Sequence, residues 1–255
     1  MALHEIEIAG TVEKDQHFLI NNQTIKKMIL ALELEKDDRV IEIGAGSGNI
    51  TQTLMKVENK ILAFEIDPKF KPFLDEIAEK NKNITIKIGN ALDSSWKSYN
   101  KVLGNIPFSV AEAIIQKSIE ERTELISLLI SDGLKKTLES QSKLGLISNL
   151  FYTINAYSEV DPQSLSPIPD IKCWLVQLRR KEPSNKTESI LRDILTKNGK
   201  TKNSIIFSLA KSGMTKNQAR DTIEKMNLSD DVLNKPIKRS SAQFILRLKS
   251  ELDKL

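Results

Sequence analysis

The sequence predicts a doubly wound α/β domain followed by a small helical one. Three features lead there. Short apolar runs alternate with helix-patterned segments from Arg39-Val-Ile-Glu-Ile to Cys173-Trp-Leu-Val-Gln-Leu, the rhythm of parallel strands joined by crossover helices on both faces of a sheet. A glycine turn, Gly44-Ala-Gly-Ser-Gly, follows the first of those strands and opens a helix; glycine there lets the backbone turn sharply and approach a ligand closely. Beyond the polar stretch Lys181-Glu-Pro-Ser-Asn-Lys-Thr, apolar residues recur only at helical spacing. The boundaries are 1–15 for an N-terminal arm, 16–181 for the α/β domain and 182–255 for the helical domain.

In order along the chain, Gln16-His-Phe-Leu-Ile is a short apolar knot. Asn22 or Thr24 is the candidate cap of a helix reaching residue 34, with Ile25, Met28, Ile29 and Leu32 on one face. Lys36-Asp-Asp is a turn before the first strand, 39–43, and residues 49–57 read as a helix after the glycine turn. Strands follow at 60–65 and 84–88, with a helix over 68–80 between them. A fourth strand, 101–105, ends in Asn105-Ile-Pro-Phe, and a helix-like run covers 111–119. The fifth strand is 125–130, residues 144–157 are helical or mixed, and 173–178 is the last strand. Helical patterns then recur at 190–195, 205–209 and 242–248.

Composition narrows the function. At 40% hydrophobic and 28% charged residues the chain is ordinary for a soluble globular protein. It has no apolar run of about 18 residues, so no membrane span is expected. Met1-Ala-Leu-His-Glu-Ile-Glu-Ile lacks the basic start and apolar core of a signal peptide. A single cysteine, Cys173, allows no internal disulfide and suits a reducing cytoplasm. With two histidines beside it there are too few ligands for a Cys/His zinc site, and no metal is expected. The net charge of +4 is unevenly spread: residues 1–175 carry 20 Lys+Arg against 25 Asp+Glu, and residues 176–255 carry 18 against 9. A basic module on a mildly acidic one is either a solvated lysine-rich surface or the footprint of a polyanion, nucleic acid above all. Lys200, Lys202 and Lys211 are its candidate phosphate contacts.

Three strand ends carry the chemistry. Gly44–Gly48 alone is a weak signal, because Asn49 breaks the Gly-x-Gly-x-x-Gly spacing and no Gly-Lys-Ser/Thr follows. Glu65 ends the second strand 17 residues after Gly48, where an acid accepts from ribose hydroxyls; otherwise it is a surface carboxylate. Asn90 ends the third and is placed to address an adenine edge. Asn105-Ile106-Pro107-Phe108 then gathers an amide, a rigid turn and an aromatic ring, a grip for a flat hydrogen-bonding ligand. Plainer roles stand beside these: a helix cap for Asn105, core packing for Phe108. Phe18 and Leu19 either cover a ligand or pack. His17 reads as structural rather than a base, and Cys173 and Trp174 as strand packing.

Gln16-His-Phe-Leu, Glu42-Ile-Gly-Ala-Gly-Ser-Gly, Glu65, Asn90-Ala and Asn105-Ile-Pro-Phe stand in the order of the KsgA/Erm rRNA adenine N6-methyltransferases, and the chain resembles that family over roughly 14–180. Leu144-Gly-Leu-Ile-Ser and Ser166-Pro-Ile-Pro-Asp-Ile-Lys-Cys-Trp are similar to two further stretches of it. The resemblance implies a Rossmann-like class I methyltransferase sheet with a small all-α C-terminal domain, and S-adenosylmethionine as cofactor. It implies a cofactor site of Gln16, His17, Leu19, Gly44, Ala45, Gly46, Gly48, Glu65, Ile66, Asn90, Ala91 and Asn105, and catalysis by Asn105, Ile106, Pro107 and Phe108. Asp15-Gln-His-Phe-Leu-Ile is most similar to the archaeal and eukaryotic branch, whose members dimethylate adenines of small-subunit rRNA. That implies a monomer acting on rRNA of a small ribosomal subunit precursor during ribosome biogenesis. The Erm branch, acting on 23S rRNA, and a catalytically reduced ribosome-assembly factor are the competing readings. The chain departs from the family at Asn90, where Asp is usual, at Ser109-Val-Ala and at Ser131-Asp-Gly-Leu.

Overall fold

The structure, a computed structural model, describes residues 17–255, the side chain of Phe108 excepted. The predicted arm and Gln16 lie outside the described residues. In chain order the elements are β1 (Phe18–Leu19), α1 (Asn22–Leu30), β2 (Arg39–Ile43), α2 (Asn49–Leu54), β3 (Lys60–Glu65), α3 (Lys71–Lys80), β4 (Ile84–Ile88), β5 (Lys101–Asn105), α4 (Phe108–Glu120) and β6 (Leu125–Ser131). Then come α5 (Asp132–Glu139), α6 (Lys143–Phe151), β7 (Tyr152–Val160), β8 (Leu165–Ser166), β9 (Cys173–Arg180), α7 (Lys186–Leu195), α8 (Thr201–Lys211), α9 (Lys216–Lys225), α10 (Asp230–Asn234) and α11 (Ala242–Leu252).

The main sheet runs β4-β3-β2-β5-β6-β9-β7. The first five strands are parallel, and β9 lies antiparallel to β6. The apolar runs of β2, β5 and β6 bury on both faces, as inner strands of a covered parallel sheet must. Side chains from the sheet cap the end of α1: Ser127 Oγ donates to Met28 O at 2.8 Å and Gln177 Nε2 to Ala31 O at 2.7 Å. At the amino ends of β2 and β5, Asn100 Oδ1 accepts from Arg39 N at 2.9 Å, and the buried Lys101 ammonium lies 3.4 Å from Asp38. That edge is stitched shut, and the carboxyl ends are left for a ligand.

Several boundaries differ from the sequence reading. The cap of α1 is Asn21, whose Oδ1 accepts from Gln23 N and Thr24 N at 2.9 and 3.0 Å, because a cap reaches two and three residues forward. Helix α4 begins at Phe108, three residues before the expected Ala111; Pro107, at φ −53° and ψ 137°, delivers the chain straight into its first turn. Residues 144–157 divide into α6 and β7, and β9 departs from the all-parallel expectation. The two-residue pair β1–β8 was not foreseen; runs that short carry no periodicity.

By backbone contacts the chain forms two compact units. One takes the described residues up to Lys136 together with Thr153–Arg180, and the other Thr137–Tyr152 together with Lys181–Leu255. Residues 137–152 thus pack with the helical unit, an excursion the boundary at 181/182 did not anticipate. That unit has its own core, including Leu191, Ile194, Ile205, Leu209, Phe244 and Leu248. Buried Arg192 ties the start of the second stretch: it donates to Lys181 O at 2.6 Å, to Glu182 O at 3.3 Å and to Glu188 Oε1 at 2.8 Å, above the Phe151 ring. The predicted linker is therefore held along its first residues.

Gly104 shows how tightly β2 and β5 approach. A Cβ there would stand 2.6 Å from Ile43 O and 3.0 Å from Ile106 Cγ2. Gly104→Ala is expected to destabilise the protein by about 1–3 kcal/mol, measured by chemical denaturation. An unchanged midpoint would mean that the strands separate without strain.

Candidate active site

Strand order reverses between β2 and β5: β3 and β4 extend one way, β6 and β9 the other. In open α/β sheets the carboxyl side of such a switch point is where ligands bind. Here the glycine turn leaves β2 and Asn105 ends β5, so the two sequence signals flank one crevice. They are close, since a Cβ on Gly44 would lie 3.5 Å from Asn105 O. A cleft at this point is lined by His17, Leu19, Gly44, Ala45, Gly46, Glu65, Ile66, Asn105, Ile106 and Pro107 from the predicted set. Phe18, Ser47, Asn49, Ile50, Phe70, Leu129 and Leu165 complete it.

Glu65 is 4% exposed, so it is not the surface carboxylate of the plainer reading. Its Oε2 accepts from Gly46 N at 2.6 Å and its Oε1 from Asp67 N at 2.8 Å. A carboxylate has about four acceptor positions, so each oxygen keeps capacity for another donor. Gly44 N and Ala45 N both donate to Phe64 O at 2.9 Å. Gly46 sits at φ 55°, and a Cβ there would be 2.9 Å from Cε1 of Phe18. The Phe18 ring meets Phe70 edge-on at 5.6 Å, while Leu19 is buried in the core. Of the two residues left open as cover or packing, Leu19 packs and Phe18 lies across the glycine turn.

Asn105 Nδ2 donates to the main-chain carbonyl of His17 at 2.6 Å. A carbonyl can only accept, so this bond fixes which way round the amide sits and leaves Oδ1 as its acceptor end. The His17 ring bonds through Nδ1 to Pro167 O at 2.8 Å, again a carbonyl, so Nδ1 carries the hydrogen. His17 thus holds Asn105 through its backbone, and its own ring is anchored at Pro167. Nothing in the residue types announced this 88-residue link.

Not every predicted residue reaches the cleft. Asn90 Oδ1 accepts from Leu92 N at 3.0 Å, capping a short turn, and the buried Ala91 gives its carbonyl to Trp96 Nε1 at 3.0 Å. On that side the cleft lining ends with Glu65 and Ile66. Gly48, at φ 85°, starts α2 behind the turn. The side chain of Phe108 and all of Gln16 lie outside the described residues. Ser131 Oγ accepts from Leu134 N at 3.2 Å, and Asp132 takes the Trp174 indole hydrogen at 3.1 Å, which gives that departure from the family a local structural use. Phe70 had a sequence signal, the Asp67-Pro68 turn after Glu65; Leu129 and Leu165 had none beyond being apolar. Among the described residues no group of His, Cys, Asp and Glu is arranged to hold a metal ion, and no helix is long and apolar enough to cross a membrane.

Beneath the glycine turn lies Glu42, fully buried. Thr51 Oγ1 donates to its Oε2 at 2.8 Å, and its Oε1 has no hydrogen-bond partner among the described residues. Burial, with some help from the charge of Glu65, pushes its pKa up to about 8.

Sheet order and cleft together have the build of a Rossmann-like methyltransferase. Two solved structures share the fold over nearly the whole chain. A dimethyladenosine transferase from Plasmodium falciparum covers 93% of this chain and 98% of its own, at TM-score 0.63 and 20% identity. The 23S rRNA methyltransferase ErmE covers 92% and 99%, at TM-score 0.62 and 22% identity. Proteins named probable ribosomal RNA small subunit methyltransferase A are similar in sequence: one from Methanococcus maripaludis strain C7 is 29% identical over 226 residues, 83% of this chain and 86% of its own. Another, from Methanococcoides burtonii, is 27% identical over 205 residues, 75% and 76% respectively. The family model described as ribosomal RNA adenine dimethylase matches residues 12–248, and the chain belongs to this family of rRNA adenine methyltransferases.

The state of Glu42 sets a pH dependence. An acid whose folded pKa lies above its ordinary 4.5 takes up a proton on folding, so stability falls as pH rises between about 4.5 and 8. Glu42→Gln, which keeps an acceptor for Thr51, is expected to melt higher than the parent at pH 8, with the gain shrinking toward pH 5. Melting curves that stay parallel across this range would contradict a neutral Glu42.

Proposed function

We propose that this protein transfers methyl groups from S-adenosylmethionine to N6 of adenines in small-subunit rRNA. The observation that carries this reading is the fixed amide of Asn105: its Nδ2 is held by His17 O, which leaves Oδ1 as the acceptor end of a residue that lines the crevice. Adenine N6 needs acceptors for its two hydrogens, because its lone pair is delocalised into the ring. We assign one to Asn105 Oδ1 and the other to the Ile106 carbonyl, which Pro107 holds by its fixed φ and its restriction of the preceding residue. Relieved of conjugation, the nitrogen turns its lone pair toward the donor. Phe108 stacks on the base, which must leave its own stack to reach the site.

The cleft suits the proposed cofactor. Gly46 offers a side-chain-free cradle whose N–H is already oriented by Glu65, and Glu65 retains acceptor positions for ribose hydroxyls. When bound, S-adenosylmethionine supplies a methyl group already activated by the sulfonium. The chain's own task is then alignment and exclusion of water rather than strong base catalysis. The choice of small-subunit rRNA follows the names of the archaeal relatives, and the basic helical unit gives RNA a reason to bind.

Asn105→Ala is expected to leave S-adenosylmethionine affinity within a few-fold and to lower methyl incorporation into small-subunit RNA at least tenfold. Undiminished turnover would sink the role of the amide. Glu65→Ala is expected to weaken S-adenosylmethionine binding in calorimetry at least tenfold, and an unaltered affinity would refute the ribose assignment. Methyl incorporation into large-subunit rather than small-subunit RNA would overturn the substrate.

A further inference from the structure

In the helical unit, α8 buries Ser204, Ile205, Ser208 and Leu209 and leaves Phe207 55% exposed. A lone exposed aromatic residue has no significance, but Phe207 stands in a built setting. Asn203 and Lys211, four residues before and after it, are also exposed, and that spacing puts all three on one face of the helix. Just past the end of α7, Lys197 holds its ammonium 4.2 Å from the centre of the Phe207 ring, within cation–π range. Asp193 keeps it there. Its Oδ1 lies 3.4 Å from Lys197 Nζ and accepts from Lys211 Nζ at 2.8 Å, while Oδ2 accepts from the Ser208 hydroxyl at 2.7 Å. Burial opposes the charge on Asp193, but the bonds from Lys211 and Ser208 outweigh it and hold the carboxyl below its usual range. One ionised carboxylate therefore braces a lysine on either side of an exposed ring.

We infer that Phe207, Lys197, Lys211 and Asn203 form a stacking platform on the helical unit for an unpaired base of the RNA substrate. Phe207 supplies the ring, Asn203 a donor and acceptor for a base edge, and the two lysines contacts for the flanking phosphates. The occupant is RNA because the charge requires a polyanion: this unit carries 17 Lys+Arg against 10 Asp+Glu, a net +7, and the other a net −3. A second copy of the same face would meet lysine with lysine. Lys211, foreseen as a plain phosphate contact, is thereby a braced one, and Lys200 and Lys202 extend the exposed basic surface on the same helix start.

The inference rests on the rRNA reading but is tested apart from it, by binding of the full chain to a labelled single-stranded RNA oligomer with no methyl donor present. Phe207→Ala and Phe207→Leu are each expected to weaken binding roughly tenfold, and Phe207→Trp to keep it. Lys197→Gln is expected to lower the salt slope by about one. S-adenosylmethionine affinity should be unchanged in all four. The platform is overturned if the Ala and Leu variants bind like the parent, if the parent does not bind the oligomer, or if Phe207→Leu binds as well as Trp, which would make the contact merely apolar. A sedimentation shift from dimer to monomer in Phe207→Ala would equally overturn it, in favour of self-association. Loss of methyl transfer in Asn105→Ala with or without these effects reports on the cleft alone.

Discussion

Glu65 holds two pieces of backbone at once. One oxygen takes the N–H of Gly46 in the turn after β2, and the other takes that of Asp67 in the turn after β3. Both turns leave parallel strands in register, Ile43 beside Phe64, and without a shared anchor they would be loops free to choose their own course. The carboxylate makes them one surface. Its burial sets a condition, since a buried carboxylate needs hydrogen-bond donors: Gly46, a position without a side chain, supplies one from the glycine turn, and Asp67 the other. Glu42, beneath the turn, accepts from the Thr51 hydroxyl, and its burial, more than the nearness of Glu65, pushes its pKa up to about 8.

On the other flank of the switch point the order of support is reversed. There the amide of Asn105 is held by the backbone of a residue far away in sequence, and that residue is held in turn by Pro167. The N-terminal segment therefore belongs to the site through its main chain. Its pairing of β1 with β8 brings the segments around His17 and Pro167 to the same place as the end of β5. A side-chain amide is only as useful an acceptor as its orientation allows, and here the orientation comes from the carbonyl of His17, itself anchored at Pro167.

Much of this was legible in the chain. Strands β2, β3 and β4 were read at their observed limits because Val, Ile and Phe runs bounded by Gly, Pro and Asn leave little choice. Glycine turn, acid and amide fell at consecutive strand ends, and register alone brought most of them together. What escaped were features with no local period: the two-residue β1–β8 pair, the antiparallel turn of β9, the bond from Asn105 to the His17 carbonyl. The cap of α1 was missed by one residue, since Asn21, Asn22 and Thr24 are all competent caps and only the fold chooses. Asn90 was assigned to a ligand edge on type and place, yet its oxygen closes a local turn. Lys211 looked like a free surface charge because Asp193, 18 residues away on another helix, was invisible as its partner.

The excursion of residues 137–152 into the helical unit gives that unit a divided origin in the chain. Its core joins α6, made midway, to α11, which begins some ninety residues later. As the chain emerges during synthesis, α6 can meet α7 early, but its contacts with α11 wait until nearly the last residue is available. The α/β unit is closed earlier, by β9. Loop-closure entropy grows only slowly with length, so the separation costs little stability, but it orders events: the sheet finishes first and the helices last. Completion of the cleft and completion of the helical core are thus separated by the route of the polypeptide itself.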